Sequence, residues 1–126
     1  MTRILVVDDE ELVRETLCFM LEEAGFEILE AADGVEALHV FDEHEVDVVV
    51  TDIFMPEKEG LETITELRQR KPDVKIIAIS GGGGHVNLDY LEFAKTFGAR
   101  SVLTKPFLRE QVLSAVKAIL EQSDDV

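Results

Sequence analysis

The sequence has little cysteine, little positive charge and no long apolar segment. Cys18 is the single cysteine among 126 residues, which excludes a disulfide framework within the chain and favours a reducing compartment. No apolar run approaches the ~20 residues that a membrane-spanning helix needs, and the residues after Met1 are not typical of a signal peptide. We therefore expect a cytoplasmic protein.

Basic residues are far outnumbered by acidic ones. The chain has 12 Lys and Arg against 27 Asp and Glu, which gives a formal charge of −15. Such a field repels phosphate backbones and anionic lipids, so direct binding to nucleic acid or to a membrane is not expected. A solvated acidic surface accounts for most of this imbalance, and a cation site is the alternative explanation for part of it.

Short apolar runs alternate with helical patterns along the whole chain. The run Ile4-Leu5-Val6-Val7 is typical of a strand that is buried on both faces. Five strands alternating with five helices predict an α/β fold with a parallel sheet and right-handed crossovers. The predicted strands are 4–7, 26–31, 46–51, 74–79 and 101–103, and the helical apolar positions fall within 13–24, 35–41, 61–67, 88–97 and 108–119. One domain then spans residues 1–126, with 122–126 as a tail.

Polar residues stand where these strands end. Ligands bind outside the carboxyl ends of strands in open parallel sheets. Strand one ends in Asp8 and Asp9, strand three in Asp52, strand four in Ser80, and strand five runs into Lys105. Neighbouring carboxylates repel one another unless a positive charge lies between them, and Mg²⁺ prefers oxygen ligands. The three aspartates are therefore candidate Mg²⁺ ligands.

Asp52 is also a candidate nucleophile. A metal ion that screens one of its oxygens leaves the other free to attack phosphorus. The backbone carbonyl of Phe54 can supply a further metal ligand if the turn after Asp52 is sharp. Lys105 can place a positive charge on a phosphoryl oxygen, and Ser80 can donate a hydrogen bond to another. Catalysis would then consist of positioning and charge neutralisation.

Each of these motifs also has a purely structural interpretation. Asp8-Asp9 can cap a helix N-terminus, where aspartate is favoured. Asp52 can be a turn residue before Pro56, and Lys105-Pro106 can be a rigid turn whose peptide bond is cis in a minority of cases. The joint occurrence of these residues at successive strand ends favours a functional site.

Several segments together resemble the receiver domain of bacterial two-component response regulators. The resemblance covers residues 2–121 and is carried by Ile4–Asp9, Val48–Asp52, Met55-Pro56, Gly60-Leu61, Ser80 and Leu103–Phe107. It implies a doubly wound, flavodoxin-like (βα)5 fold, whose five-stranded parallel sheet has the order 2-1-3-4-5 and helices on both faces.

The resemblance also implies roles for individual residues. Asp52 would accept the phosphoryl group, Asp8 and Asp9 would bind Mg²⁺, Lys105 would contact the phosphoryl group, and Ser80 would be the switch hydroxyl. The donor would be a phosphohistidine on a sensor histidine kinase or histidine phosphotransfer protein. An output partner would bind through the fourth helix, the fifth strand and the fifth helix.

Two other functions stay open at this point. A phosphatase with an aspartyl nucleophile usually carries a second Asp two residues later, but Phe54 stands there, so we expect only self-catalysed phosphorylation and dephosphorylation. A phosphorylation-independent adaptor is the other alternative. The sequence does not distinguish a stand-alone regulator from the front part of a longer one, although Met1 is expected to be a native start.

The chain departs from the family pattern at Val102, where receivers usually carry a Tyr or Phe that moves inward on activation. Signalling would therefore depend more on the Ser80 loop, with its four glycines at 81–84, and on the fourth helix. A mobile surface loop is the simpler interpretation of that glycine segment, and ordering of the segment on phosphorylation is the alternative.

The Val102→Tyr variant is expected to alter affinity for an output partner without altering phosphorylation at Asp52, because residue 102 would report on the switch without touching the acceptor. Partner titration together with the intact mass after phosphorylation tests both parts. Loss of phosphorylation in the variant contradicts this interpretation.

Overall fold

Five strands alternate with helices in the computed structural model of the protein, which describes residues 2–53, 60–80, 95 and 98–122 and only the backbone of residues 60, 61 and 80. The elements are β1 (Arg3–Val7), α1 (Glu11–Glu23), β2 (Glu27–Ala31), α2 (Gly34–Glu43), β3 (Val48–Asp52), α3 (Gly60–Arg70), β4 (Lys75–Ser80), β5 (Ser101–Thr104) and α4 (Arg109–Glu121). The fifth predicted helix is α4. The fourth predicted helix (88–97) and the glycines at 81–84 lie outside the described residues, apart from Lys95.

The strands form one parallel sheet in the order β2-β1-β3-β4-β5. This result confirms the predicted fold class and the position of β2 at an edge. The central strand β3 is completely buried, as its run of valines predicts for a parallel sheet covered on both faces. Because Val7 pairs with Thr51, and Asp52 pairs with Ile79, the carboxyl ends of β1, β3 and β4 meet at one rim.

The sheet separates two apolar clusters, because alternate side chains of each strand point to opposite faces. Leu5 and Val7 face one cluster, which α2 and α3 cover; its buried members include Ala37, Phe41, Val49, Ile64, Leu67 and Ile76. Ile4 and Val6 face the other cluster, which α1 and α4 cover; its buried members include Leu17, Leu21, Val50, Ile77, Val112 and Val116. Val102 is partly buried against the first cluster.

Helix ends follow local sequence signals. The amide of Gly25 donates to the carbonyl of Glu22 at 3.0 Å, and that of Phe26 donates to Leu21 at 3.2 Å, which is the hydrogen-bond pattern of a Schellman cap. Gly25 has a φ of +97°, a conformation that glycine adopts more readily than residues with a β-carbon. At the start of α2, the side chain of Asp33 accepts a hydrogen bond from the amide of Glu36 at 2.8 Å.

One predicted inward position is wrong. Leu108 begins the apolar pattern of the last predicted helix and was expected on its inward face, but it is 68% exposed because it precedes the first helical turn in extended conformation. Val35, one of the apolar residues that mark the second predicted helix, is 48% exposed, while Ala37 and Phe41 are buried there. The spacing of apolar residues alone does not determine which side of such a short helical segment faces the core.

Within the part of the chain that the structure describes, no helix combines the length and the apolar character that crossing a membrane requires.

Substituting Gly25 by Ala is expected to lower the free energy of unfolding by about 1–2 kcal/mol, because a β-carbon is disfavoured at a positive φ. The space around Gly25 is open, whereas a β-carbon at Gly98 (φ +129°) would collide with the side chain of Arg68. Gly98→Ala should therefore cost at least as much. Urea unfolding of both variants measures these costs, and an unchanged stability for Gly25→Ala contradicts the prediction.

Candidate functional site

Asp8 is held in place by contacts of its backbone and its side chain. Its amide donates to the carbonyl of Ala31 at 3.2 Å, which continues the pairing of β1 with β2 past the end of the strand. Its carbonyl accepts a hydrogen bond from Arg14 Nη1 at 2.8 Å, and its Oδ1 accepts one from the amide of Glu10 at 2.8 Å. The residue is fully buried, so its carboxylate is fixed at the rim of the sheet.

Asp52 is the last residue of the central strand. Its backbone pairs with Ile79 of β4, and the residue is only 3% exposed. The hydroxyl of Thr51 donates to the Asp52 carbonyl at 3.0 Å. The sequence predicted that the strand stops at Thr51; the pairing with β4 extends it by one residue and so places Asp52 within the sheet.

Lys105 brings the ends of three segments together. Its Nζ lies 3.0 Å from Asp52 Oδ2, 3.0 Å from Glu10 Oε1 and 3.2 Å from Asp8 Oδ2. The lysine side chain is 11% exposed, so these interactions are poorly screened by water. The peptide bond between Lys105 and Pro106 is cis.

The three carboxylates outnumber the single ammonium, and the pKa values of the site reflect that excess. The pKa of Asp8 is raised to about 6: burial is the largest cause and the charge of Asp52 adds to it, while the hydrogen bond from the Glu10 amide and the charge of Lys105 act in the opposite direction. For Lys105, burial lowers the pKa, but the hydrogen bond and charge of Asp52, together with Glu10 and Asp8, outweigh it and raise the pKa.

The carboxylates form a group that fits a divalent cation. One oxygen from each of Asp8, Glu10 and Asp52 lies within 4.8 Å of the other two. Asp8 Oδ2 is buried and accepts no hydrogen bond from any residue in the described part of the chain. Carboxylate oxygens are the ligands that Mg²⁺ prefers. An additional positive charge at this position would also relieve the repulsion that raises the pKa of Asp8.

Three of the site residues predicted from the sequence lie together: Asp8, Asp52 and Lys105. Asp9 is exposed, and its carboxylate is not part of the group that includes the other acidic residues. Ser80 ends β4 with its backbone paired to Thr104, but its side chain is outside the described residues, as is all of Phe54. The roles assigned to Asp9, Ser80 and Phe54 stay predictions.

Glu10 is a member of the site that the sequence did not single out. It follows the two aspartates directly and occupies the N-cap position of α1, in extended conformation. The signal available was the acidic run from Asp8 to Glu11 at a strand end. Which of these side chains points toward Lys105 depends on the direction of the backbone at the start of the helix, and spacing alone does not give that direction.

Known proteins resemble this chain in sequence and in fold. A family model of the response regulator receiver domain matches residues 4–117. The sensor kinase CckA of Brucella abortus is 40% identical over 96% of this chain and 13% of its own length. The transcriptional regulatory protein PhoP of Bacillus subtilis is 36% identical over 97% of this chain and 50% of its own. The solved structure of the response regulator TrrA from Thermotoga maritima, in complex with Mg²⁺-BeF, has a TM-score of 0.81 and 39% identity, covering 94% of this chain and 99% of that one.

The chain therefore belongs to the response regulator receiver domain family, whose members act as phospho-accepting switches in two-component signalling. It spans half or less of the length of CckA and of PhoP, so it corresponds to one part of these longer proteins.

The Asp8→Asn variant is expected to raise the free energy of unfolding in EDTA at pH 7 by about 1–3 kcal/mol, because a pKa raised from 3.8 to about 6 makes the buried charge unfavourable. The folded state binds this proton more tightly than the unfolded state. The ionised Asp8 therefore destabilises the wild-type protein fully above pH 6, and this destabilisation disappears as the pH falls toward 4. The stability that Asp8→Asn gains over wild type should have the same pH dependence.

Urea unfolding between pH 4 and pH 8 measures this gain. Asp9→Asn is the matched control, since Asp9 is exposed and its removal should change stability by less than about 0.5 kcal/mol. A less stable Asp8→Asn variant at pH 7 contradicts the prediction.

Proposed function

We propose that Asp52 accepts a phosphoryl group in a Mg²⁺-dependent reaction, and that phosphorylation switches the domain between two conformations. The observation that carries this proposal is the buried carboxylate of Asp52 at the end of the central strand, with Oδ2 3.0 Å from Lys105 Nζ. A carboxylate held beside one cation at the open rim of the sheet can act as a nucleophile toward an electrophilic phosphorus.

The proposed chemistry needs no general base, because the nucleophile is an ionised carboxylate. An Asp52 oxygen forms the new bond to phosphorus while the donor's bond to phosphorus breaks. Lys105 stays beside the acceptor and neutralises charge on a phosphoryl oxygen. Bound Mg²⁺ would supply additional positive charge to the carboxylates and the phosphoryl oxygens.

The metal would be held by Asp8, Asp9 and Asp52, with the backbone carbonyl of Phe54 as a further ligand. The position of Glu10 makes it an additional candidate. Ser80 would donate its hydroxyl to the phosphoryl group and so couple the acceptor to the segment that follows β4.

The phosphoryl donor would be a phosphohistidine of a sensor histidine kinase or histidine phosphotransfer protein. The phosphoryl group would favour an active conformation that is already populated, and a shift from 1:99 to 99:1 requires about 5.5 kcal/mol of differential stabilisation. The output partner would bind through residues 88–97, β5 and α4. Phosphorylation and dephosphorylation would be self-catalysed, without turnover of a separate substrate.

The cytoplasm is the compartment that we propose. Cys18 is a buried free thiol, and burial raises its pKa to about 12, so it is unreactive and consistent with a reducing environment. The acidic chain is not proposed to bind nucleic acid or a membrane.

Incubation with acetyl phosphate and Mg²⁺ is expected to add one phosphoryl group to the wild-type protein and none to the Asp52→Asn variant, because an amide nitrogen and oxygen cannot replace the ionised nucleophile. The intact mass reports the adduct. A parallel reaction in EDTA should show a large loss of the adduct, since the excess negative charge of the site would repel the phosphoryl donor.

Failure to form an adduct, together with no response to beryllofluoride, contradicts the proposed function and favours a phosphorylation-independent adaptor. An adduct of equal yield in Asp52→Asn places the acceptor elsewhere.

A further inference from the structure

The ammonium group of Lys105 donates hydrogen bonds to Asp52 and Glu10 and forms an ion pair with Asp8. A lysine has three N–H donors and no acceptor. In this structure Lys105 Nζ faces one oxygen from each of Asp52, Glu10 and Asp8, at 3.0, 3.0 and 3.2 Å. A phosphoryl oxygen that contacts Lys105 must therefore compete with these three carboxylates for the ammonium group.

The three partners differ in how readily they can withdraw. The Asp8 side chain is completely buried and is anchored by the amide of Glu10. The Asp52 side chain is 4% exposed and is the proposed acceptor itself. The Glu10 side chain is 56% exposed and has one more rotatable bond than an aspartate. Glu10 can therefore move into solvent and be hydrated there, whereas the two aspartates would have to move through packed structure.

We propose that Glu10 is the exchangeable carboxylate of this site: it occupies Lys105 in the unphosphorylated protein and is displaced by an oxygen of the incoming phosphoryl group. Glu10 thus acts as a positioning residue, and its anionic head both competes for Lys105 and repels an anionic donor. This inference rests on the proposed function, since it presumes that Asp52 accepts the phosphoryl group and that Lys105 contacts it.

With acetyl phosphate, an acyl phosphate, as the donor, phosphoryl transfer to Asp52 needs no other reactant. The bond between phosphorus and the acyl oxygen breaks, acetate leaves with the electron pair, and an Asp52 oxygen supplies the pair for the new bond. No proton or oxidant is required. Lys105 exchanges its contact with Glu10 Oε1 for a contact with a phosphoryl oxygen, so that the number of its anionic partners does not change.

Glu10→Gln is the first test, with Glu11→Gln as its matched control. Both variants lose one negative charge at the start of α1, and no described contact links Glu11 to Lys105. The rate constant for phosphorylation by acetyl phosphate should rise by about 2- to 5-fold in Glu10→Gln, which is the range for loss of a half-exposed ion pair. In Glu11→Gln it should stay within about 1.5-fold of wild type, because exposed charges without a partner have little effect.

The Glu10→Asp variant distinguishes competition for Lys105 from repulsion of the anionic phosphoryl donor. The shorter side chain keeps the negative charge but is not expected to reach Lys105 from the same backbone position. A rate above wild type in this variant as well indicates that contact with Lys105 is the restraining factor. Beryllofluoride affinity, which involves no bond cleavage in a donor, should increase in Glu10→Gln and in Glu10→Asp in the same order as the rates.

All rates are compared at Mg²⁺ concentrations that saturate each variant, because Glu10 also belongs to the carboxylate group that can hold the ion. Circular dichroism verifies that each variant is folded. Rates and beryllofluoride affinities equal to or below those of wild type in both Glu10 variants overturn this inference while leaving Asp52 as the acceptor. An absence of adduct in every protein, wild type included, overturns the proposed function and this inference with it.

Discussion

The ammonium of Lys105 among three carboxylates is the interaction on which the site depends. Asp8 and Glu10 lie in the segment between β1 and α1, and Asp52 ends β3; without a cation between them their charges would repel. The lysine counters one negative charge of the three, and the pKa of Asp8 is raised, first by burial and then by the charge of Asp52. The excess of negative charge favours a divalent cation at this position, and a bound cation would in turn lower the repulsion that an anionic phosphoryl donor meets there.

The backbone supplies this arrangement through the geometry of a parallel sheet. Hydrogen bonds from Asp8 to Ala31, and the pairing of Asp52 with Ile79, continue the ladders to the very residues that carry the chemistry. The ladders of the sheet therefore position Asp8 and Asp52, so little ordering of these two residues is needed before a ligand arrives. A binding site of this kind costs stability in the resting protein, because charge is buried there, and the apolar clusters on both sides of the sheet offset that cost.

Much of the fold could be predicted because its signals are local and strong. Runs such as Ile4–Val7 and Val48–Val50 are characteristic of strands covered on both faces, and Gly25 marks a helix end by its backbone conformation. The positions of Asp8, Asp52 and Lys105 followed from the rule that ligands meet at strand ends, while the strand order came from the family resemblance. Side-chain direction at a helix start was not predictable: Glu10 points toward Lys105 and Leu108 points to solvent because of φ and ψ angles that spacing does not encode.

Because the sheet divides the interior into two apolar clusters, residues in one cluster can change largely independently of residues in the other. Ile4 and Val6 contact one apolar layer and Leu5 and Val7 the other, so neighbours in sequence belong to different packing environments. A change of volume on one side can be compensated by repacking there, without disturbing the other. Substitutions in opposite layers that share no contact should have additive effects on stability. The sheet thus separates the two apolar clusters, so residues of one cluster can change in sequence while those of the other stay constant.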